Sequence, residues 1–327
     1  MKNSTAPNRK TGRMIAKNLI VLFAVALAGF CGIQAWFTDN RSAEANGIEV
    51  ECQAPDGIEI AVVGHDAPAP TEYTTGNITL NKTNYPFLEK LQLTEITGDG
   101  TFFRKPALIQ SGGQAHVDTK AEWSEPTANE HYLSFDLYIR SKSQYNISIG
   151  KKSTIKPDAP QLTTQDGTGI TNQSKYGNFS RDSVVGAVRF SVVDYKSAPP
   201  SKKLLWLPAP NILLKQTTDE YTLSDDMPSG ESYSHVYYDT NRVQHTVSST
   251  DVDKAFVVNN DGFDGGKFTY ELGQNQNIAQ LNKSSENDQF YSAMVTCNMW
   301  IEGEDAEARL ALVNGKFKVN LVLTKVS

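Results

Sequence analysis

Strict alternation of apolar and polar residues is the feature that most constrains this fold. The apolar members of residues 132–140 are Leu133, Phe135, Leu137 and Ile139. Polar residues such as Ser134 and Asp136 stand between them. Because successive side chains of a strand point to opposite faces, this pattern predicts a strand with one buried face and one solvated face.

The same alternation recurs along the chain. It covers residues 187–194, 294–302, 316–325 and 48–52, and a short apolar run covers 58–63. Further strand candidates are 88–96, 101–109, 145–155, 203–207, 235–238 and 254–258. Many short strands separated by turns predict an all-β fold, which we expect to be a jelly-roll-like β-sandwich with one or two short helices. The longest helical pattern is residues 303–313, which we expect to cross between two strands.

The N-terminus has the pattern of an export signal. Residues 1–17 carry five basic side chains and no acid, and an uncharged, mostly apolar run follows at 18–38. A basic segment before an apolar one is typical of a signal peptide. The pattern Ala43-Glu44-Ala45 predicts cleavage after Ala45, so that the mature chain begins at Asn46. The alternative is an uncleaved helix that anchors the protein in the membrane, since the apolar run has about the length that spans a bilayer.

These features divide the chain into a signal peptide, 1–45, and a single β-sandwich domain, 46–327. Loop insertions are expected near 156–182 and 218–232, where turn-forming and polar residues accumulate. The whole chain has a formal net charge of −6, and cleavage of the signal would remove more basic than acidic residues. No basic excess is left to neutralise phosphates, so nucleic acid is not an expected partner.

The signal boundary and the C-terminus resemble a known family. In residues 32–47, the aromatic-Thr-Asp motif Phe37-Thr38-Asp39 precedes the small-residue cleavage pattern and Asn46-Gly47. This boundary resembles the signals cleaved by the SipW-type signal peptidase, and Ile58-Glu-Ile-Ala-Val is similar to the segment that follows there. Residues 300–309 and 315–321 resemble the closing block of clostridial exported surface proteins. The chain therefore resembles the TasA/camelysin family over residues 18–63 and 299–321.

The resemblance implies a secreted jelly-roll protein of a Gram-positive cell surface or biofilm matrix. Members of the TasA kind form extracellular fibres by lending an N-terminal strand to the next subunit, whereas camelysin-type members are described as surface metalloproteases. The implied partners are the SipW-type signal peptidase and other copies of this chain or a related matrix subunit. The membrane is contacted only through the signal before cleavage.

Residues 46–53 are the candidate donor strand. They alternate, contain no proline and directly follow the predicted cleavage site, with Ile48 and Val50 as the strand-donor side chains. A freed strand can pair with an open sheet edge of a neighbouring molecule. The alternative is that this strand pairs within its own sheet.

Catalytic motifs are missing from the sequence. The five histidines are His65, His116, His131, His235 and His245. None of them forms the His-Glu-x-x-His pattern of a zinc protease, and the sequence has no Gly-x-Ser-x-Gly elbow and no phosphate-binding glycine loop. We therefore assign no catalytic residue and expect a non-enzymatic protein. The alternative, a camelysin-like surface metalloprotease, would have to assemble its metal site from distant positions.

Two other ligand sites are weaker hypotheses. The segment 259–266 is rich in Asn, Asp and Gly, and Asp261 and Asp264 are candidate calcium ligands, but the spacing of a calcium loop is missing. An ordinary turn is the favoured interpretation, and no cofactor is expected. A carbohydrate-binding module of the envelope is a further alternative, with Trp123, Trp206 and Trp300 lining its groove, although Trp206 lies in an apolar segment typical of a core.

Two cysteines remain after cleavage, because Cys31 leaves with the signal. Cys52 and Cys297 are each in phase with the apolar residues of their strands, so both should point into the sandwich. They are either bridged or a pair of buried free thiols. A bridge would join the first strand to the penultimate one and restrict donation to the residues before Cys52.

N-terminal sequencing of exported protein should give Asn46 as the first residue, because the small side chains at 43 and 45 suit a signal peptidase. A first residue outside 44–48, or recovery of the intact chain from the membrane fraction, would contradict this processing.

Overall fold

β-Strands make up nearly all regular structure in the part of the chain that the computed structural model describes. The described residues are 43–44, 48–111, 114–158, 184–208, 213–217, 220–224, 236–246, 256–258, 269–303 and 316–326. All described residues belong to one compact unit.

The described residues contain two short helical turns and twenty-three strands. The helical turns are a 3₁₀ turn at Pro86–Leu88 and a single α-turn at Val184–Ala187. The strands are β1 (Ala43–Glu44), β2 (Ile48–Gln53), β3 (Glu59–Gly64), β4 (Ile78–Leu80), β5 (Gln92–Leu93), β6 (Glu95–Gly98), β7 (Phe103–Arg104), β8 (Leu108–Ser111), β9 (Gln114–Val117), β10 (Leu133–Ser141), β11 (Asn146–Ile149), β12 (Thr154–Pro157), β13 (Val188–Asp194), β14 (Ser201–Leu207), β15 (Leu213–Thr217), β16 (Glu220–Ser224), β17 (Val236–Tyr238), β18 (Gln244–Thr246), β19 (Phe256–Val258), β20 (Tyr270–Glu271), β21 (Gln276–Gln280), β22 (Tyr291–Glu302) and β23 (Phe317–Val326).

Eight strands form the large sheet, in the order β19-β14-β13-β22-β10-β3, with β6 beside one end of β22 and β7 beside β6. The central pair, β22 and β10, is antiparallel over nine residues and places Phe135 opposite Cys297. The pairs β14–β19 and β22–β6 are parallel, and the other pairs are antiparallel.

Seven strands form the small sheet around β23. β12 and β11 lie end to end along one side of β23, and β2 lies along the other side. β20 and β21 extend the sheet beyond β12 and β11, and β4 extends it beyond β2. The β2–β23 pair is parallel and all the others are antiparallel.

The inward faces of both sheets form one hydrophobic core. Phe135, Phe190 and Trp206 from the large sheet and Leu321 from the small sheet are fully buried members of the same cluster. Each such side chain contributes about 1.5–3 kcal/mol on transfer from water. The predicted all-β sandwich is therefore confirmed, and so are the strands expected from alternation at 48–52, 132–140, 187–194, 294–302 and 316–325.

Part of the outer face of the large sheet is also buried, and here the sequence-based prediction was wrong. Ser134 and Asp136 were expected to face solvent, yet they are only 1% and 4% exposed. The turn after β6 lies against this face, where the Ser191 hydroxyl donates to the Gly100 carbonyl at 2.9 Å. Gly100 has a φ of 91°, and a Cβ there would lie 2.9 Å from the Ser191 Cβ, so a glycine is needed for this close approach.

Asp99 holds that turn in place. Its carboxylate accepts hydrogen bonds from the backbone N–H and hydroxyl of Thr101, both at 2.7 Å, and the Lys202 ammonium lies 2.9 Å away. Burial alone would raise the pKa of Asp99, but Lys202 and Thr101 hold the pKa below its usual value. The covering turn is thereby fixed to β14 of the sheet beneath it.

Some predicted strands are divided in the structure. The candidate 145–155 becomes β11 and β12, because the chain turns at Gly150, where a Cβ would lie 2.8 Å from Thr324 Cγ2. The candidate 88–96 becomes β5 and β6, and 101–109 contains β7 and the start of β8. A turn that has no room for a Cβ atom can therefore end a strand, even where the apolar pattern of the sequence continues.

The predicted insertions and helix are only partly covered by the described residues. Within 218–232, residues 220–224 form β16, which pairs with β15 in a hairpin. Of 156–182, the stretch 159–182 lies outside the described residues, as does 304–313 of the predicted helix.

Replacing Phe135 by alanine should destabilise the fold by about 3–5 kcal/mol, because the fully buried ring leaves a cavity between the sheets. The matched control is Val243→Ala, at a side chain that is 52% exposed, where the change should stay within about 0.5 kcal/mol. Urea unfolding measures both free energies, and equal losses for the two variants would contradict the proposed core.

Candidate functional site

The candidate donor strand, β2, lies inside the small sheet of its own chain. It runs parallel to the last strand, with Ile48 opposite Phe317 and Cys52 opposite Leu321. Its other edge is paired with β4, and β4 has no other sheet partner among the described residues. In the single chain, β2 therefore pairs within its own sheet, which is the alternative to strand donation. It lies between the edge strand β4 and the central strand β23.

The side chains of β2 alternate between the core and the surface. Val50 and Cys52 are buried, whereas Glu49 forms an ion pair with Lys318 of β23 at 3.2 Å. Lys318 also lies 3.0 Å from Asp158, and hydrogen bonds to Asp158 and Glu49 raise its pKa. These charges are partly exposed, so the pairs contribute little energy but favour one register of β2.

The linker of residues 54–58 crosses from the small sheet to the large one. The Ile58 N–H donates to the Pro55 carbonyl at 3.1 Å, which closes a turn. Gly57 has a φ of 76°, a conformation that favours glycine, and its carbonyl accepts a hydrogen bond from the Ser141 hydroxyl at 3.0 Å. The Lys325 ammonium of β23 donates to the Asp56 carbonyl at 2.7 Å. The link between β2 and the rest of the chain is thus a short turn held by side chains of both sheets.

Cys52 and Cys297 are free thiols buried in the core. Cys52 faces inward from the small sheet, and Cys297 faces inward from the centre of the large sheet, opposite Phe135. Burial raises the pKa of Cys52 to about 12. Burial also raises the pKa of Cys297 well above its usual value, and the nearby Cys52 thiol raises it further. Both thiols therefore belong to the hydrophobic core between the layers, in a form that reacts slowly.

The predicted cleavage site is only partly described. Ala43 and Glu44 form β1, which pairs with Leu93 and Gln92 of β5. Ala45 and Asn46 lie outside the described residues.

A buried polar layer occupies the outer face of the large sheet. The Ser134 hydroxyl donates to the Asn298 side chain at 2.7 Å, and the Asn298 amide lies 3.4 Å from the Ser191 hydroxyl. Because all three side chains are buried, these hydrogen bonds offset the cost of removing them from water. Their positions in β10, β22 and β13 bind three strands side by side.

His65 borders this layer. Its Nδ1 lies 2.9 Å from Asp136 Oδ1, and the Thr296 hydroxyl donates to the same oxygen at 2.6 Å. The hydrogen bond to Asp136 raises the pKa of His65 against the opposing effect of burial, and Asp66 raises it further. Thr296 bonds to the carboxylate and not to the imidazole, so this arrangement differs from a catalytic triad, in which the hydroxyl bonds to the histidine. The cluster joins the end of β3 to β10 and β22.

The other described histidine side chains have separate surroundings. His131 Nδ1 accepts a hydrogen bond from the Thr127 N–H, and His245 lies 3.0 Å from Asp239. His235 lies outside the described residues. Among the side chains that are described, no group of three or more His, Cys, Asp or Glu is arranged to hold a metal ion.

Two of the three candidate sugar-binding tryptophans are in the core. Trp206 and Trp300 are at most 1% exposed and belong to the hydrophobic cluster, so neither lines a surface groove. Trp123 is partly exposed and packs its edge against Tyr238, with ring centroids 5.6 Å apart. The candidate calcium ligands Asp261 and Asp264 lie outside the described residues.

Comparisons of the chain with protein-family models, with curated proteins and with solved structures find no match. Function is therefore inferred from the chain's own residues. No helix in the described part of the chain is long and apolar enough to cross a membrane, and the apolar run 18–38 lies outside that part.

Sequence reasoning missed the polar layer and the His65–Asp136 pair. The only available signal was the set of polar residues in phase on three separate strands, including Asp136, Ser191 and Asn298. That pattern indicates a buried layer only when the strands are known to be neighbours.

The stability of the protein should depend on pH through His65. The pKa of His65 is raised in the folded state. Its interaction with Asp136 therefore stabilises the folded protein to the full extent when the pH is below the unfolded histidine pKa of about 6.5. This stabilisation is lost as the pH rises through the folded pKa. Urea unfolding at about pH 6.5 and about pH 8 should therefore show a smaller loss of stability for His65→Gln than for the wild type.

His131→Gln is the matched control for this experiment. Burial lowers the pKa of His131, so this residue makes stability rise with pH, opposite in sign to His65. Its replacement should therefore leave the wild-type loss of stability undiminished or slightly larger. Identical pH dependence in His65→Gln and the wild type would show that the His65–Asp136 pair does not contribute.

Proposed function

We propose that this chain is an exported, non-enzymatic structural protein of a Gram-positive cell surface or biofilm matrix, whose copies join by exchanging β2. The observation that carries the proposal is the position of β2, a six-residue N-terminal strand between the last strand and the edge strand β4. The β2 strand of another copy has the same sequence and would make the same pairings. The resemblance of the signal and C-terminus to the TasA/camelysin family supports the same function.

Exchange would cost little in contacts. An incoming β2 would bury its own Val50 and Cys52 and form the same Glu49–Lys318 ion pair. The balance between closed monomers and joined copies would then depend on protein concentration and on the conformation of residues 54–58, as in domain swapping. The short turn with Pro55 and Gly57 is the segment that would open.

An unfilled position would be unfavourable. Without β2, one edge of β23 would lose its backbone partners, and β4 would lose its only sheet partner among the described residues. Unpaired strand edges recruit other strands. Each copy that donates β2 would therefore need to receive one, which extends the chain of copies in one direction.

Processing would control when assembly begins. Ile48 comes two residues after the predicted mature N-terminus at Asn46, so cleavage by a SipW-type peptidase would leave β2 with a free end. A free end can enter a neighbour's sheet, whereas a segment still attached to the membrane cannot. Assembly would then be confined to the cell surface or the surrounding matrix.

Purified mature protein, residues 46–327, should form unbranched filaments in negative-stain electron microscopy. An excess of a synthetic peptide of residues 48–53 should stop their growth, because the peptide fills the position that receives β2. The control peptide carries Val50→Lys, whose charge is costly to bury and should prevent competition. Light scattering measures the mass of the assemblies with each peptide.

A chain that begins at Ala54 provides the complementary test. It should stay folded when the 48–53 peptide is supplied, and it should form no filaments, since it has no strand to donate. Mature protein that stays monomeric at every concentration tested, or filaments that grow equally well from the shortened chain, would contradict strand exchange.

A further inference from the structure

We infer that Cys52 and Cys297 form a covalent lock between successive copies, one thiol on the donated strand and the other on the receiving sandwich. This inference rests on the proposed exchange of β2 and adds a specific chemical bond to it. The two cysteines would lie on different polypeptides at the contact between two copies. Cys52 belongs to the donated strand β2, and Cys297 belongs to the central strand of the receiver's large sheet.

The register places both thiols between the two layers. In β2, Cys52 lies opposite Leu321 on one side and Ile78 on the other, with its side chain fully buried. In β22, Cys297 lies between Phe135 and Val192 on the core side of the sheet. The neighbouring Thr296 and Asn298 point to the polar outer face, so the Cys297 thiol points toward the small sheet.

Exchange changes which chain owns each thiol. In a closed monomer, Cys52 and Cys297 point from opposite sheets into the core of the same polypeptide. When β2 is donated in the same register, Cys52 of the donor and Cys297 of the receiver share one core. A bond formed in the joined state therefore links two polypeptides, whereas a bond formed in the closed state ties β2 to its own body and prevents donation.

The bond should form while β2 is entering its position. Once packed, Cys52 has its pKa raised to about 12 and is shielded from reagents. Outside the sheet the same thiol would be exposed and would ionise near its usual pKa of about 8.5. Oxidation is therefore favoured during assembly and slow in the finished closed monomer.

Oxidation requires an acceptor for two electrons, and a small disulfide such as 2-hydroxyethyl disulfide supplies it. The Cys52 thiolate attacks this disulfide, forming a mixed disulfide and releasing one small thiol. The small thiolate released first takes the proton of the Cys297 thiol. The Cys297 sulfur then attacks the Cys52 sulfur, forming the Cys52–Cys297 bond and releasing the second small thiolate, which takes a proton from solvent. Two protein thiols are oxidised, and one small disulfide is reduced to two thiols.

The test uses the mature protein and two variants, Cys52→Ala and Cys297→Ala. Wild-type protein assembled with 2-hydroxyethyl disulfide should give a ladder of covalent oligomers on a non-reducing denaturing gel, and dithiothreitol should collapse this ladder to monomer. Mixed in equal amounts, the two variants should give covalent dimers and no longer species, because each polypeptide keeps one of the two thiols. Either variant on its own should form no dimer linked by Cys52 and Cys297, because all its copies lack the same one of the two thiols.

The double variant Cys52→Ala/Cys297→Ala separates this inference from the proposed function. It should still form filaments that fall apart to monomers on the denaturing gel. Filaments from the wild type without a covalent ladder would overturn the lock and leave strand exchange standing. A monomer bridged within one chain, with no dimer in the variant mixture, would overturn both, because β2 would then stay in its own sheet.

Discussion

Two long central strands, β22 and β23, determine whether this sandwich can form. β22 pairs with β10, β13 and β6, and β23 pairs with β2, β11 and β12, so each layer is organised around one strand. Both strands come from the last 37 residues of the chain, 291–327. Most sheet pairs therefore close over long sequence separations, and such topologies fold slowly because the loops must be closed before the contacts are gained. The sandwich cannot be completed until the C-terminal strands are available.

Alternation in the sequence predicted the local structure well and the environment of the polar face poorly. The inward residues of β10 were identified because apolar side chains at every second position have one physical explanation. Asp136 and Ser134 were assigned to solvent, because their partners Thr296 and Asn298 lie about 160 residues away in sequence. Hydrogen-bonding partners that far apart cannot be paired from one sequence, although they decide whether a polar residue can be buried.

The candidate site shows the same division. Phase alone placed Cys52 and Cys297 in the core, and both are buried. The parallel pairing of β2 with β23, and its position beside β4, did not follow from phase, because nothing local specifies which distant strand is the neighbour. The buried polar layer also gives the large sheet two packed faces, so this sheet can serve as a stiff body while β2 remains attached through the short turn at Pro55 and Gly57.

The parallel register of β2 and β23 gives the molecule a direction. Ile48 lies beside Phe317, so the chain enters the small sheet where β23 begins, whereas Val326 lies at the far end of the same strand. At about 3.3 Å per residue, these two ends are about 30 Å apart. A chain of copies joined through β2 would therefore have distinguishable ends, one presenting an unoccupied receiving sheet and the other an unused strand. A fluorescent group attached beyond Val326 would therefore be repeated on every copy in the chain. It would lie at the end of β23 opposite to the end where Ile48 of β2 pairs.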